Sequence, residues 1–189
     1  MIKKEIRKNY LQKRISLTGL EKSKLDDLLL IQFQAVQLPY LQTLFSYWPI
    51  EEYKEPDVHL ITDYLQFRNP GLNIAYPRMD SSDDLIKAIV SDEKTSYRKN
   101  TFNIYEPENG DEVEAAAIDL IIVPLLAFDK YGYRVGYGKG YYDKFLSGIR
   151  KDCIKVGFSY FEPVDKIADT HEFDVPLSYC ITPQTVYVF

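Results

Sequence analysis

Cysteine is scarce in this chain: Cys153 and Cys180 are the only two. Two cysteines cannot build a disulfide framework, and their spacing fits no metal-ligand pattern. They read as buried thiols of a reducing compartment. Histidine is equally scarce, with His59 and His171 alone. The chain has neither an H-E-x-x-H pair nor a G-x-S-x-G elbow, which argues against zinc-protease and covalent hydrolase chemistry. No apolar run reaches the roughly 20 residues that a membrane helix needs. The basic start MIKKEIRKNY has no apolar segment behind it, so no signal peptide is expected. There is also no excess of positive charge. Lys and Arg number 23 against 28 Asp and Glu, for a net charge of −5, and an acidic chain is a poor general binder of nucleic acid.

Aromatics are plentiful, with 16 Tyr and 10 Phe beside a single Trp. Most serve as packing, and some can wall a planar ligand. A length of 189 residues suits one hydrophobic core and is short for two. No repeat, low-complexity tract or linker divides it, so residues 1–189 are read as one domain.

The pattern along the chain alternates helices and strands. Residues 2–17 read as a basic amphipathic helix, with Ile2, Ile6, Tyr10 and Leu17 near one face. Thr18 with Glu21 makes a capping box that opens a second helix, running to about Leu38 before Pro39 stops it. Thr43 to Trp48 reads as a buried strand, Asp57 to Arg68 as a helix, and Leu72 to Tyr76 as a strand closed by Pro77. The stretch from Asp80 to Glu93 fits helix or strand, and 94–114 reads as an irregular connection. Asp119 to Val123 is the clearest buried strand. A glycine-rich loop follows, then a helix from Tyr141 to about Ile149, a strand over Ile154 to Phe158, and a last short one over Val186 to Phe189. The expected fold is α/β: a mainly parallel central sheet flanked by helices, with a basic helix at the N-terminus.

The chemistry concentrates in DKYGYRVGYGKGYYDKF, Asp129 to Phe145. Gly136, Gly138 and Gly140 alternate there, and glycine admits backbone conformations closed to other residues. Successive amides can then turn inward as an anion nest. Arg134 and Lys139 add positive charge, and Asp143 is a hard oxygen ligand suited to Mg²⁺. The loop matches neither the G-x-x-x-x-G-K-S/T nor the G-x-G-x-x-G pattern, since Tyr133 and Gly140 stand where those require other residues. Spacing alone gives a phosphate-binding loop, with a tight packing turn as the plain alternative.

The run DLIIVPLLAFDKYGYRVGYGKGYYD, Asp119 to Asp143, resembles the signature of the 5-formyltetrahydrofolate cyclo-ligases. The resemblance implies an ATP- and Mg²⁺-dependent closure of 5-formyltetrahydrofolate to 5,10-methenyltetrahydrofolate. It implies that Arg134, Val135, Gly136, Tyr137, Gly138, Lys139, Gly140, Tyr141 and Tyr142 wrap the ATP phosphates, with Lys139 and Arg134 catalytic. Asp143 and Asp174, the latter in HEFDVPL, would hold Mg²⁺. Lys3 and Arg7 match an N-terminal K-x-x-x-R pattern that reaches ATP, with Lys4 beside them. Trp48, Glu55, Tyr137 and Tyr142 would meet the folate, and Arg78 would meet either a phosphate or the glutamate tail of the folate. A carboxylate such as Glu55 can accept the paired N–H donors of a pterin.

Three departures stand out. Tyr137 replaces a frequent arginine, Leu125 replaces the glycine of a P-G-L step, and Ser178 replaces an acid after D-V-P-L. The expected partners are small molecules, with no nucleic acid or membrane, and the expected setting is a cytoplasmic monomer. Two other readings remain open from the residues: a non-catalytic folate or nucleotide binder, and a different ATP-dependent small-molecule kinase.

Overall fold

The computed structural model describes residues 1–80 and 85–189, of residue 80 the backbone alone. The apolar runs of the sequence become one eight-stranded sheet in the order β12-β11-β10-β7-β1-β2-β3-β6. Its centre is parallel. β1 (Thr43–Phe45) lies between β2 (Asn73–Asp80) and β7 (Leu120–Val123), and β10 (Ile154–Phe158) and β11 (Tyr179–Ile181) continue the sheet beyond β7. Antiparallel strands close both sides, β12 (Val186–Val188) on one and β3 (Leu85–Ser91) and β6 (Glu112–Val113) on the other.

The period-two alternation of strands sorts side chains between the two faces. Leu44, Leu120 and Ile122 face one core with Leu29 and Phe33 of α2 (Gly19–Gln34) and Ile61 and Leu65 of α3 (Val58–Arg68). Phe45, Ile121 and Val123 face the other, with Leu146 of α4 (Tyr141–Ser147). A third, smaller cluster docks α1 (Lys3–Ile15) through Ile6 onto Ala127 and Val135. Those two belong to a short hairpin of β8 (Ala127–Phe128) and β9 (Arg134–Val135).

Local chemistry explains most boundaries. The capping box forms as expected: Thr18 Oγ1 accepts from the Glu21 amide at 3.2 Å, and Glu21 Oε2 accepts from the Thr18 amide at 2.7 Å. Asp57 caps α3 by accepting from the His59 amide at 3.1 Å.

Several elements differ from the sequence expectation. α2 ends at Gln34, before Leu38. β1 ends at Phe45, because the chain then leaves the sheet toward Glu55. Strand β2 runs through Pro77 to Asp80. Its pairing with β1 stops at Phe45↔Ala75, so from Tyr76 onward β2 pairs with β3 alone and Pro77 sits at an edge, where a missing N–H is tolerated. The ambiguous stretch after Asp80 is strand β3, with 81–84 outside the described residues. The expected irregular connection holds a second hairpin, β4 (Tyr97–Lys99) with β5 (Tyr105–Pro107). Its tip is organised by Asn100, whose Oδ1 accepts from the amides of Phe102 and Ile104 at 2.8 and 3.1 Å.

Candidate functional site

In an open parallel sheet, ligands bind outside the carboxyl ends of the strands, where the order of connection reverses. Here the chain leaves β1 for β2 on one side and meets β7 on the other. A cavity of about 850 Å³ opens there. Tyr47 and Trp48 line it just after β1, Pro77 and Met79 at the end of β2, and Pro124 and Leu126 just after β7. The glycine loop, the N-terminal helix and the tip of the β4–β5 hairpin supply the other walls.

The loop has the backbone its glycines foretell. Gly138 and Gly140 lie at φ +89° and +76°. No described residue accepts a hydrogen bond from the amides of Gly138, Lys139 or Gly140, so these donors are open to an anion. Arg7 reinforces the loop, donating from Nε to the Gly136 carbonyl at 2.9 Å. Lys139 is exposed, with Nζ 5.6 Å from the centre of the Phe102 ring at the hairpin tip.

Two acids sit beside these cations. Arg134 is 7 % exposed and donates to Asp143 Oδ1 and to the Val175 carbonyl, each at 2.7 Å. Asp143 Oδ2 takes no hydrogen bond from any described residue. Lys3 Nζ meets both oxygens of Asp174, at 2.7 and 2.5 Å, and Oδ2 also accepts from the His171 amide at 2.7 Å. Burial pushes the Asp174 carboxyl up. The Lys3 and His171 hydrogen bonds outweigh it and hold the group below its ordinary value. Among the described residues no cluster of three or more His, Cys, Asp or Glu could hold a metal alone. The donor set still fits Mg²⁺, which keeps several waters and binds through one or two carboxylates plus phosphate oxygens.

The rest of the cavity is largely aromatic and apolar, with two buried carboxylates, Glu55 and Glu106, in its lining; Glu106 Oε1 accepts from the Met79 amide at 3.0 Å and from Asn100 Nδ2 at 2.7 Å. Trp48 packs against His59, Tyr97, Tyr105 and Tyr76, with ring centres 4.9 to 5.9 Å away. Glu55 is 2 % exposed. Its Oε2 accepts from the Ile50 amide at 2.7 Å, and Oε1 accepts from the Tyr137 hydroxyl. Burial raises the Glu55 carboxyl, partly offset by Arg14, by Tyr137 and by the Ile50 amide. The Tyr142 hydroxyl is also buried, and no described residue hydrogen-bonds it. Burial and the Glu55 charge raise it, while Arg134 pulls it down. It is thus an unspent donor lining the cavity and sensing both the carboxylate and the guanidinium.

Most residues expected from sequence come together here. Lys3, Lys4, Arg7, Trp48, Glu55, Arg134, Gly136 through Asp143 and Asp174 all line the cavity. Val135 does not: it is buried beneath α1. Arg78 does not either; it is half-buried and reaches the Glu108 carbonyl at 3.4 Å. Sequence reading missed the hairpin tip, Asn100 to Ile104. Its signal was the pair Asn100 and Asn103, turn-forming residues between Tyr97 and Tyr105, with Asn103 at φ 61°.

Residues 1–183 match the model of the 5-formyltetrahydrofolate cyclo-ligase family. The chain belongs to this family. It is 31% identical over 189 residues to a 5-formyltetrahydrofolate cyclo-ligase of Mycoplasma pneumoniae, covering 97% of this chain and 100% of that relative. A 5-formyltetrahydrofolate cyclo-ligase of Escherichia coli is 33% identical over 91 residues, 47% of this chain and 50% of that one. Among solved structures, the 5,10-methenyltetrahydrofolate synthetase of Aquifex aeolicus superposes with a TM-score of 0.81 at 29% identity, covering 100% of this chain and 93% of the other. The synthetase of Mycoplasma pneumoniae gives 0.74 at 30% identity over 96% and 98%. Cyclo-ligases use ATP as co-substrate. Among the described residues no helix is long and apolar enough to cross a membrane.

Proposed function

We propose that this cavity carries out the family's ATP-dependent closure of 5-formyltetrahydrofolate to 5,10-methenyltetrahydrofolate, with the phosphates in the glycine loop and the pterin at Glu55. The observation that carries the reading is the division of one cavity into two chemistries. Open amides, Lys139 and Arg7 line one part of it, and aromatic rings with the buried Glu55 carboxylate line another, the two parts joined by the Tyr137–Glu55 hydrogen bond. The formyl oxygen attacks the γ-phosphorus and ADP leaves. N10 then attacks the activated formyl carbon, an N10 proton is lost, and the C–O bond breaks to release inorganic phosphate. An amide-like oxygen carries no proton, so this attack needs no general base. Phosphoryl transfer depends on positioning and charge neutralisation, the roles assigned to Lys139 and Arg134.

Mg²⁺ bound with ATP would neutralise phosphate charge, and Asp143 and Asp174 are the residues that would hold it. At Asp174 this requires Lys3 Nζ to give up the carboxylate. Lys3, freed in that way, would join Arg7 on the phosphates. Asp143→Asn is expected to raise the Mg²⁺ concentration for half-maximal rate by roughly tenfold. A titration of rate against Mg²⁺ that superposes on that of the unaltered chain contradicts the metal assignment. Two buried free cysteines suit a cytoplasmic setting, and the chain is read as a monomer acting on small molecules.

The Tyr142 hydroxyl is read as a donor to the oxygen passing between carbon and phosphorus. Tyr142→Phe is expected to lower kcat about tenfold or more. Its thermal midpoint should be unchanged or slightly raised, because a buried unpaired hydroxyl is removed. An unaltered kcat sinks that role. The reaction path itself is tested with ¹⁸O in the formyl group. The label should appear in the released phosphate, and label retained in the folate product or lost to water contradicts the path.

A further inference from the structure

Arg14 lies outside every motif above, in the last turn of a basic helix. Its side chain is nevertheless 3 % exposed. Each arm of the guanidinium is committed: Nε donates to the Tyr53 carbonyl at 2.7 Å, one Nη to the Leu125 carbonyl at 3.0 Å, and the other to the Tyr137 hydroxyl. Those acceptors belong to the turn after β1, the loop after β7 and the glycine loop. A single buried cation therefore braces three walls of one cavity.

The direction of the hydrogen bonds is forced. A guanidinium only donates, so the Tyr137 oxygen accepts from Arg14. The hydroxyl's one proton must then go to Glu55 Oε1. The Tyr137 ring is held by stacking on Tyr53, with centroids 5.5 Å apart and planes at 26°. Arg14 itself reaches Glu55 Oε1 at 3.9 Å. A carboxylate offers about four lone-pair sites. Tyr137 and the Ile50 amide occupy two, which leaves one on each oxygen for a ligand with paired donors.

We propose that Arg14 is a positioning residue for the folate subsite, acting through the Tyr137 hydroxyl to orient Glu55. The inference rests on the reading of Glu55 as the pterin acceptor. The charged and titratable groups around Glu55 are Arg14 of α1, Lys22 of α2, Tyr47 after β1, and Tyr137 and Tyr142 from the glycine loop and α4. The Tyr160 hydroxyl donates to Asp26 Oδ1 at 2.6 Å, and its oxygen lies 3.3 Å from the Glu55 carbonyl. Of the groups that favour the carboxylate, Arg14 has the largest effect, followed by the Tyr137 hydrogen bond. Removing either moves an already raised carboxyl further up. The ionised form is the one that binds, so binding is lost as pH falls through the folded-state value, and in the variants that loss begins at higher pH.

The test is steady-state kinetics across pH for Arg14→Met, Tyr137→Phe and Glu55→Gln, varying 5-formyltetrahydrofolate and ATP separately. Arg14→Met and Tyr137→Phe should each raise the folate KM on the order of tenfold and leave the ATP KM within about twofold. The acid limb of kcat/KM for the folate should shift to higher pH in both, with activity recovered as pH rises. A purely structural role would not move that limb. Should Arg14→Met fail to fold, Tyr137→Phe carries the test alone, since it removes one oxygen and keeps the ring stack. Unchanged folate KM and acid limb in Tyr137→Phe, with Glu55→Gln impaired, overturns the Arg14 assignment and leaves Glu55 standing. An unimpaired Glu55→Gln overturns both.

Discussion

Replacing Lys139 with alanine is expected to lower kcat by about 10²–10³-fold and to leave the folate KM within about twofold. The side chain is exposed at the edge of the loop, with the Phe102 ring centre 5.6 Å from its Nζ. Truncation therefore removes charge from the phosphates without opening a cavity in the core, and the fold should be unaffected. Arg134 is a less clean probe. It is buried and holds both Asp143 and the Val175 carbonyl, so Arg134→Ala combines lost catalysis with two stranded acceptors. If Lys139→Ala keeps its kcat within about threefold of the unaltered chain, the mutant kinetics place transition-state charge elsewhere.

The second large effect is expected in the folate subsite. Glu55→Gln should raise the folate KM roughly 30-fold or more, since breaking a buried charged hydrogen-bonded contact costs about 2 kcal/mol or above. The amide keeps the shape but turns one acceptor into a donor, which would face the pterin donors and the Tyr137 hydroxyl. ATP affinity should be retained, because Glu55 meets the glycine loop through the Tyr137 hydroxyl and makes no hydrogen bond to the open amides of Gly138, Lys139 and Gly140. Separate titrations of the two ligands check this, and equal loss of both would mean that the substitution disturbs the fold and not the folate subsite.

Much of this site was legible in the sequence because it is local. The glycines at 136, 138 and 140, with Lys139 and Asp143 between and after them, fall within one short loop. Two of those glycines take the positive φ that only glycine adopts freely. The capping box at Thr18 and the buried run Asp119 to Val123 are local signals of the same kind. Elements fixed by distant partners were hidden. β8 and β9 are two residues each, too short to show a period. β11 spans Tyr179–Ile181 and exists through its pairing with β10. Pro77 looked like a strand end because the sequence does not reveal that β2 is an edge there.

Arg14 is the plainest example of chemistry invisible to local pattern. In the sequence it is one of several cations on a basic helix, and such residues are usually solvated. The packing of α1 through Ile6 turns its last turn inward and makes Arg14 the partner of Tyr137. The same contact accounts for the tyrosine at a position where a cation was expected. A guanidinium is present beside the loop, delivered by another element.

The most direct test mixes the purified chain with 5-formyltetrahydrofolate, ATP and Mg²⁺ and follows the near-ultraviolet absorbance of the methenyl product. Absorbance should grow only when ATP is present and should stop when a chelator removes Mg²⁺. A flat trace from folded protein, or growth that ignores ATP, would contradict the assignment of this cavity to ATP-driven cyclisation.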